Sequence, residues 1–205
     1  MKQPAWFGEL DGSRPVVHVT QGTIANAKPE LFAPAVEGLA NEDVLVVLAT
    51  GGRAPEELGL ARVPGNVRVA PWLPYAELLP RTAVMVTNGG YGGVQLALSH
   101  GVPLVVAGTT EDKPEVAARV AWSGSGVNLR TSTPTAEAVR TAVRKILTAP
   151  SYRLQAKRLA QEYSQYDAVA RGVASIETLV GMRGPRPSLH HAPGPARSQA
   201  ERVHG

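Results

Sequence analysis

Short unbroken apolar runs alternate along this chain with stretches whose apolar residues recur at three- and four-residue spacing. The runs are Pro15-Val-Val-His-Val-Thr20, Val44 to Ala49, Val67-Arg-Val-Ala70, Val84 to Thr87, Leu104 to Ala107 and Val127-Asn-Leu129. Their length and continuity predict strands buried on both faces, the kind found in parallel sheets. Between them the spacing predicts helices. Pro29 to Leu39 carries Leu31, Ala35, Val36 and Leu39, with Pro29 suited to a first turn. Val94 to His100 and Asp112 to Trp122 follow, the latter with Val116, Arg119 and Val120 on one face. Thr135 to Leu147 sets Ala138, Val139, Ala142, Val143, Ile146 and Leu147 on a stripe, capped by Thr133 or Thr135. Ser151 to Leu179 is helical again, with a break near Tyr166-Asp167.

Strands alternating with helices predict an α/β fold: a single Rossmann-like, doubly wound parallel sheet with helices on both faces. Ligands of such sheets bind beyond the carboxyl ends of the strands. The turns Gln21-Gly22-Thr23, Thr50 to Arg53, Pro71 to Pro74, Asn88 to Gly93 and Gly108 to Lys113 all fall at such ends. Asn88 to Gly93 stands out because Gly89, Gly90, Gly92 and Gly93 are four glycines within five residues, between a strand and a helix. Glycine admits positive φ and close approach of a ligand to the backbone, and the first amides of a helix attract anions. A tight connection needing glycine for sterics alone would be satisfied by one or two. The turn therefore reads as a phosphate cradle. It is not a P-loop, since no Gly-Lys-Ser/Thr follows, and it does not match Gly-x-Gly-x-x-Gly.

Composition narrows the class. A chain of 205 residues with 43% hydrophobic residues can build one globular core. Residues 1–14 read as a linker-like arm, 15–180 as the folded domain, and 181–205, rich in proline, arginine, histidine and small residues, as a disordered basic tail. The net charge is +4, of which the tail's four arginines against Glu201 account for +3. The folded part thus lacks the basic stripe that grips nucleic acid. The absence of cysteine excludes disulfides, thiolate metal sites and cysteine nucleophiles, and fits a reducing compartment. No apolar run nears the roughly 20 residues of a membrane span, and the first residues lack a signal-peptide core. A soluble cytoplasmic protein is the expectation.

Individual side chains admit two readings each. Trp72, fixed between Pro71 and Pro74, is either a loop anchor or a plane on which a base stacks. Glu111-Asp112-Lys113 either caps a helix or bonds a polyhydroxylated ligand. Gly22 and Thr23 offer amides and a hydroxyl at the first strand's end. His18 and His100 read as structural, and the tail histidines 190, 191 and 204 fit no closed metal geometry. No nucleophile–base–acid set is visible.

In order, Val17-His-Val-Thr-Gln-Gly-Thr23, Val69-Ala-Pro-Trp-Leu-Pro74, Thr87-Asn-Gly-Gly-Tyr-Gly-Gly93, Ala97-Leu-Ser-His-Gly-Val-Pro103, Glu111-Asp-Lys113, Ala117-Ala-Arg-Val120 and Gly124-Ser-Gly126 form a set that resembles one known family. It is similar to the carboxyl-terminal, donor-binding domain of two-domain GT-B glycosyltransferases, closest to the UDP-glycosyltransferase family that includes bacterial macrolide and other natural-product enzymes. The resemblance covers roughly residues 4–180. It implies that Trp72 stacks on uracil or thymine while the Leu73 backbone reads the base edge. Thr23 and, in the turn read as a phosphate cradle (Asn88, Gly89, Gly90, Gly92, Gly93), Gly92 to Val94 would hold the diphosphate through hydroxyl and amide groups, and Asp112 and Lys113 the sugar hydroxyls. The implied chemistry is inverting hexosyl transfer from a UDP- or dTDP-sugar to a small-molecule acceptor, with no cofactor or metal. Helix amides would neutralise the departing diphosphate.

The chain departs from the family's pattern at four positions. Asn88 stands where the family has a diphosphate-contacting histidine, Leu96 where an acid meets the ribose, Lys113 where a glutamine meets the sugar, and Gly93 where a serine or threonine is usual. Gln95 could substitute for the ribose acid. The sequence also opens in what resembles the interdomain linker. The acceptor pocket and general base are therefore expected on an amino-terminal domain, on another chain or lost, and an apolar patch is expected on the side that would face it. The expected function is the donor-binding half of such an enzyme, inactive without that domain. The alternative is a non-catalytic nucleotide-sugar-binding or regulatory module; an epimerase-like activity lacks its acidic residues.

Overall fold

The computed structural model describes residues 3–23, 30–58, 60 and 62–181. Six parallel strands appear among them: β1 (Val16–Thr20), β2 (Leu45–Ala49), β3 (Val67–Ala70), β4 (Thr82–Thr87), β5 (Leu104–Val106) and β6 (Gly126–Asn128). Their order across the sheet is β3-β2-β1-β4-β5-β6. The chain thus builds outward from β1 through β2 to β3, then returns to lay β4 on the other side of β1. The place where the winding reverses, between β1 and β4, is where open α/β sheets leave a crevice. The paired residues there are Thr20 and Thr87.

The strands form because Val, Leu and Ala side chains are covered on both faces, β1, β2 and β5 being buried at every position. On one face α1 (Phe32–Leu39) and α5 (Ala136–Thr148) bury Phe32, Val36, Val139 and Val143 against Val17, Val19, Val46 and Val84. On the other, α3 (Tyr91–Ser99), α4 (Lys113–Trp122) and α6 (Pro150–Ser164) pack Val94, Ala97, Val116 and Ala156 over Met85, Leu104 and Val106. That face is continued over β1 and β2 by the short helix α2 (Tyr75–Leu78) and by Phe7 and Leu10. Each fully buried Leu, Val or Phe contributes roughly 1.5–3 kcal/mol, so the sheet sandwich is the main source of stability.

The amino-terminal arm is a 3-10 helix, Ala5–Glu9, that buries Phe7 and forks Glu9 onto Arg68 at 2.6 and 2.8 Å. Arg153 of α6 donates to the carbonyls of Thr82, Ala83 and Gly101, tying that helix beneath β4. The described chain divides after Ser164, and α7 (Ala168–Leu179) belongs to a second unit. Asp167 caps α7 by accepting from Ala170. The break read near Tyr166-Asp167 is thus present, whereas the tail reading falls on residues 182–205, outside the described residues. Thr135, not Thr133, caps α5, its hydroxyl accepting from the Ala138 amide at 3.1 Å. One helix starts earlier than the periodicity indicated: α3 begins at Tyr91, so Gly92 and Gly93 form its first turn rather than the loop before it. The apolar pattern begins only at Val94 because the glycines contribute no side chain to it.

Candidate functional site

A cleft of about 350 Å³ opens at the carboxyl ends of β1, β2 and β4, at the winding reversal. It gathers Gly22, Thr23, Trp72, Leu73, Asn88, Gly90, Gly92 and Gly93 from three separate segments. Thr20, Gly51, Tyr75, Met85, Thr87 and Leu96 complete much of its wall. None of the described lining residues carries a charged side chain.

Its floor is the amino terminus of α3. Gly90 is the cap residue, without a side-chain bond, and the first turn holds no acidic residue. The leading amides of this helix are thus not neutralised by a carboxylate of their own turn. The four glycines differ in what demands them. At Gly89, φ is +86° and an added Cβ would lie 2.6 Å from Val106 Cγ1, so the protein's own packing requires glycine there. At Gly92 an added Cβ would meet nothing within 4 Å, and the backbone is helical. Neither packing nor backbone conformation asks for glycine at 92. A side chain there would project from the helix start beside the cleft.

Asn88 ties two turns together. Its Nδ2 donates to the Gln21 carbonyl at 2.6 Å, and its Oδ1 accepts from the Gly90 amide at 3.3 Å. The link holds the ends of β1 and β4 in fixed relation. Across the cleft Trp72 is 48% exposed. Gly52, at φ +94°, leaves room for the indole: an added Cβ there would sit 3.0 Å from Trp72 Cζ2. One side of the ring is backed by protein and much of the rest is open. Leu73 beside it is buried.

The other expected site residues lie elsewhere. Gly89 and Val94 are buried beneath the turn, and Val94 and Asp112 line a second groove of about 650 Å³ between α3, α4 and α6. Lys113 is 4% exposed; its ammonium pairs with Glu111 and donates to Thr110 Oγ1 at 3.3 Å. Glu111 has φ of 56°, the left-handed region that an L residue enters at a cost. Gln95 faces the second groove and bonds Tyr163, whereas Leu96 faces the cleft. The side chain offered as a substitute for the ribose acid is therefore turned away from the cleft. Among the exposed large apolar residues, Trp72 and Leu96 belong to the cleft and Tyr91 and Trp122 to the groove.

Sequence reasoning left out Thr20, Thr87 and Tyr75. The two threonines close adjacent strands in register, a pattern visible once β1 and β4 are known to be neighbours. Tyr75 has no such signal, because α2 is too short to show periodicity.

The cleft, with its helix start and half-exposed tryptophan, lies where open parallel α/β sheets bind their ligands. Residues 35–177 match the family described as "Erythromycin biosynthesis protein CIII-like, C-terminal domain", and the chain belongs to that family, the carboxyl-terminal domain of GT-B glycosyltransferases. It is 56% identical over 177 residues to a 4'-demethylrebeccamycin synthase of Lentzea aerocolonigenes, covering 86% of this chain and 41% of that protein. It is 42% identical over 180 residues to UDP-glycosyltransferase 2 of Phaeomoniella chlamydospora, covering 86% and 40%. The chain thus spans about two fifths of the length of these relatives. Among solved structures it is similar to the calicheamicin glycosyltransferase CalG4, with a TM-score of 0.74 and 28% identity over 85% of this chain and 45% of that one. It is also similar to the glycosyltransferase VinC in complex with dTDP, with a TM-score of 0.73 and 26% identity over 89% and 45%. Among the described residues no helix is long and apolar enough to cross a membrane.

Proposed function

We propose that this chain is the donor-binding half of an inverting glycosyltransferase that uses a UDP- or dTDP-hexose. The observation that carries the proposal is the freedom of Gly92. Its own protein does not need glycine there, yet the position opens a helix start onto the cleft that holds Trp72. A nucleoside diphosphate satisfies both ends: its base stacks on the indole and its diphosphate lies against the leading amides of α3. The dTDP bound to VinC is the same ligand class on a similar fold.

In transfer, the acceptor hydroxyl oxygen attacks the anomeric carbon. The bond from that carbon to the diphosphate oxygen breaks, and the electron pair leaves with the phosphate. The helix amides of α3 face the negative charge that develops there. The acceptor proton goes to a base, and the described lining residues include no carboxylate or histidine to take it. In this reading the base and the acceptor pocket belong to an amino-terminal domain; the chain spans about two fifths of its relatives' length.

Titration calorimetry with UDP, dTDP and their hexose conjugates tests this reading. We expect binding by the wild type and a loss of about tenfold or more for Trp72→Ala, the scale of one lost stacking contact. Absence of binding, or binding indifferent to Trp72, would overturn it. The same lack of a base in the cleft also favours a second reading, a non-catalytic nucleotide-sugar-binding module. Hexosyl transfer on adding a matching amino-terminal domain separates the two, since only the first reading gives product.

A further inference from the structure

His18 lies at the centre of β1 and is fully buried, a polar side chain in a strand otherwise built of Val and Thr. Its Nδ1 is 3.0 Å from the Val47 carbonyl and its Nε2 is 3.1 Å from Tyr75 Oη. The two rings meet edge to face, with centroids 5.2 Å apart. A carbonyl can only accept, so Nδ1 carries the proton and, in the neutral ring, Nε2 is an acceptor. Tyr75 must therefore donate to Nε2, which leaves its oxygen lone pairs to receive the hydroxyl of Thr20, its other partner. Thr20 Oγ1, having given its proton, accepts the Gly22 amide at 3.2 Å. Every donor in the sequence Gly22 to Thr20 to Tyr75 to His18 to Val47 points the same way. Burial supports the neutral ring, lowering the imidazole pKa to about 4.

Two members of this relay each adjoin a segment that lines the cleft. Tyr75 follows Trp72-Leu73-Pro74 directly, and Thr20 leads directly into Gln21-Gly22-Thr23. Thr20, Gly22, Trp72 and Tyr75 all line the cleft. We propose that His18 is a positioning residue of this site, fixing through Tyr75 and Thr20 the orientation of the Gly22–Thr23 turn relative to the Trp72 segment. Its consequence for ligand binding rests on the donor-site reading above; its consequence for the turn does not.

Two variants test it in the full chain. Tyr75→Phe removes only the Tyr75 hydroxyl, and His18→Leu removes the acceptor of that hydroxyl. Amide hydrogen exchange without ligand is the first readout. We expect exchange at Gly22 to rise about tenfold in either variant, with Val17 and Val19 amides still protected, and the double variant to go no further than the single ones. A merely structural role would loosen β1 as a whole. The second readout is calorimetry, where UDP and dTDP should bind about tenfold more weakly to Tyr75→Phe. Unchanged exchange at Gly22 in Tyr75→Phe, or effects that add in the double variant, would overturn the relay. Should Tyr75→Phe not fold, exchange in His18→Leu alone decides, a wild-type rate at Gly22 again overturning it. A wild type that binds neither nucleotide overturns the donor-site reading and leaves the exchange result to judge the relay.

Discussion

The four glycines of the turn were indistinguishable as letters, and the coordinates sort them by what a methyl group would meet. Gly89 combines a positive φ with Val106 Cγ1 at 2.6 Å from an added Cβ. Alanine there would carry both a left-handed backbone penalty and an overpacked contact, and Gly89→Ala should lose about 2–4 kcal/mol in urea denaturation. Gly92→Ala has neither problem and gains helix propensity. It should raise stability by about 0.5–1 kcal/mol while weakening nucleoside diphosphate binding. A destabilised Gly92→Ala would remove the inference that the ligand, rather than the fold, keeps this position bare. Sequence alone could say that four glycines exceed what one turn needs. It could not say which were surplus, because that depends on Val106, a neighbour brought in by β5. Asn88 is similar: its donor capacity was legible, but its partner, the Gln21 carbonyl, lies 67 residues away in the chain.

At the level of elements, legibility followed periodicity. α5 shows every apolar position of one face, and its sequence offers two threonines as the cap, of which Thr135 makes the bond. Replacing Thr135 by Ala leaves the Ala138 amide without its side-chain acceptor and should cost about 1 kcal/mol. The same replacement at Thr133 should cost little, since its hydroxyl is not the cap. Denaturation of the two variants side by side checks this, and equal losses would refute the assignment. The unbroken strands were equally readable, being buried on both faces. What could not be read were the elements too short to repeat: α2, with four residues, and the 3-10 helix at Ala5–Glu9. The start of α3 was read three residues late for a related reason, because glycine carries no hydrophobic signal. That error mattered, since it placed Gly92 and Gly93 in a loop when they are the first turn of the helix whose amides face the cleft.

For the molecule as a whole, the strand order decides where function can reside, and it also buries His18 in the middle of the sheet. β1 is flanked by β2 and β4 and Tyr75 of α2 bonds its central side chain, which is fully buried, so the charged form of the imidazole is disfavoured. The folded pKa of about 4 lies below the ordinary 6.5. Between those values the unfolded chain binds the proton and the folded chain does not. Stability contributed by this group is therefore complete above pH 6.5, declines as pH falls from 6.5 towards 4, and changes no further below that. A shift of this size corresponds to roughly 3 kcal/mol across the window. Carboxylates also lose stabilising partners towards the acid end, but they are shared by any variant at position 18. Urea denaturation of the wild type and His18→Leu at steps from pH 7.5 to 4 isolates the term. The stability of the wild type relative to His18→Leu should fall steadily as pH drops through the window. Parallel curves would mean that the folded chain takes up the proton as readily as the unfolded one, so that the ring becomes charged in the folded state below pH 6.5. A charged ring would place a proton on Nε2, reverse the Tyr75 hydrogen bond and leave the relay to the Gly22–Thr23 turn without its direction.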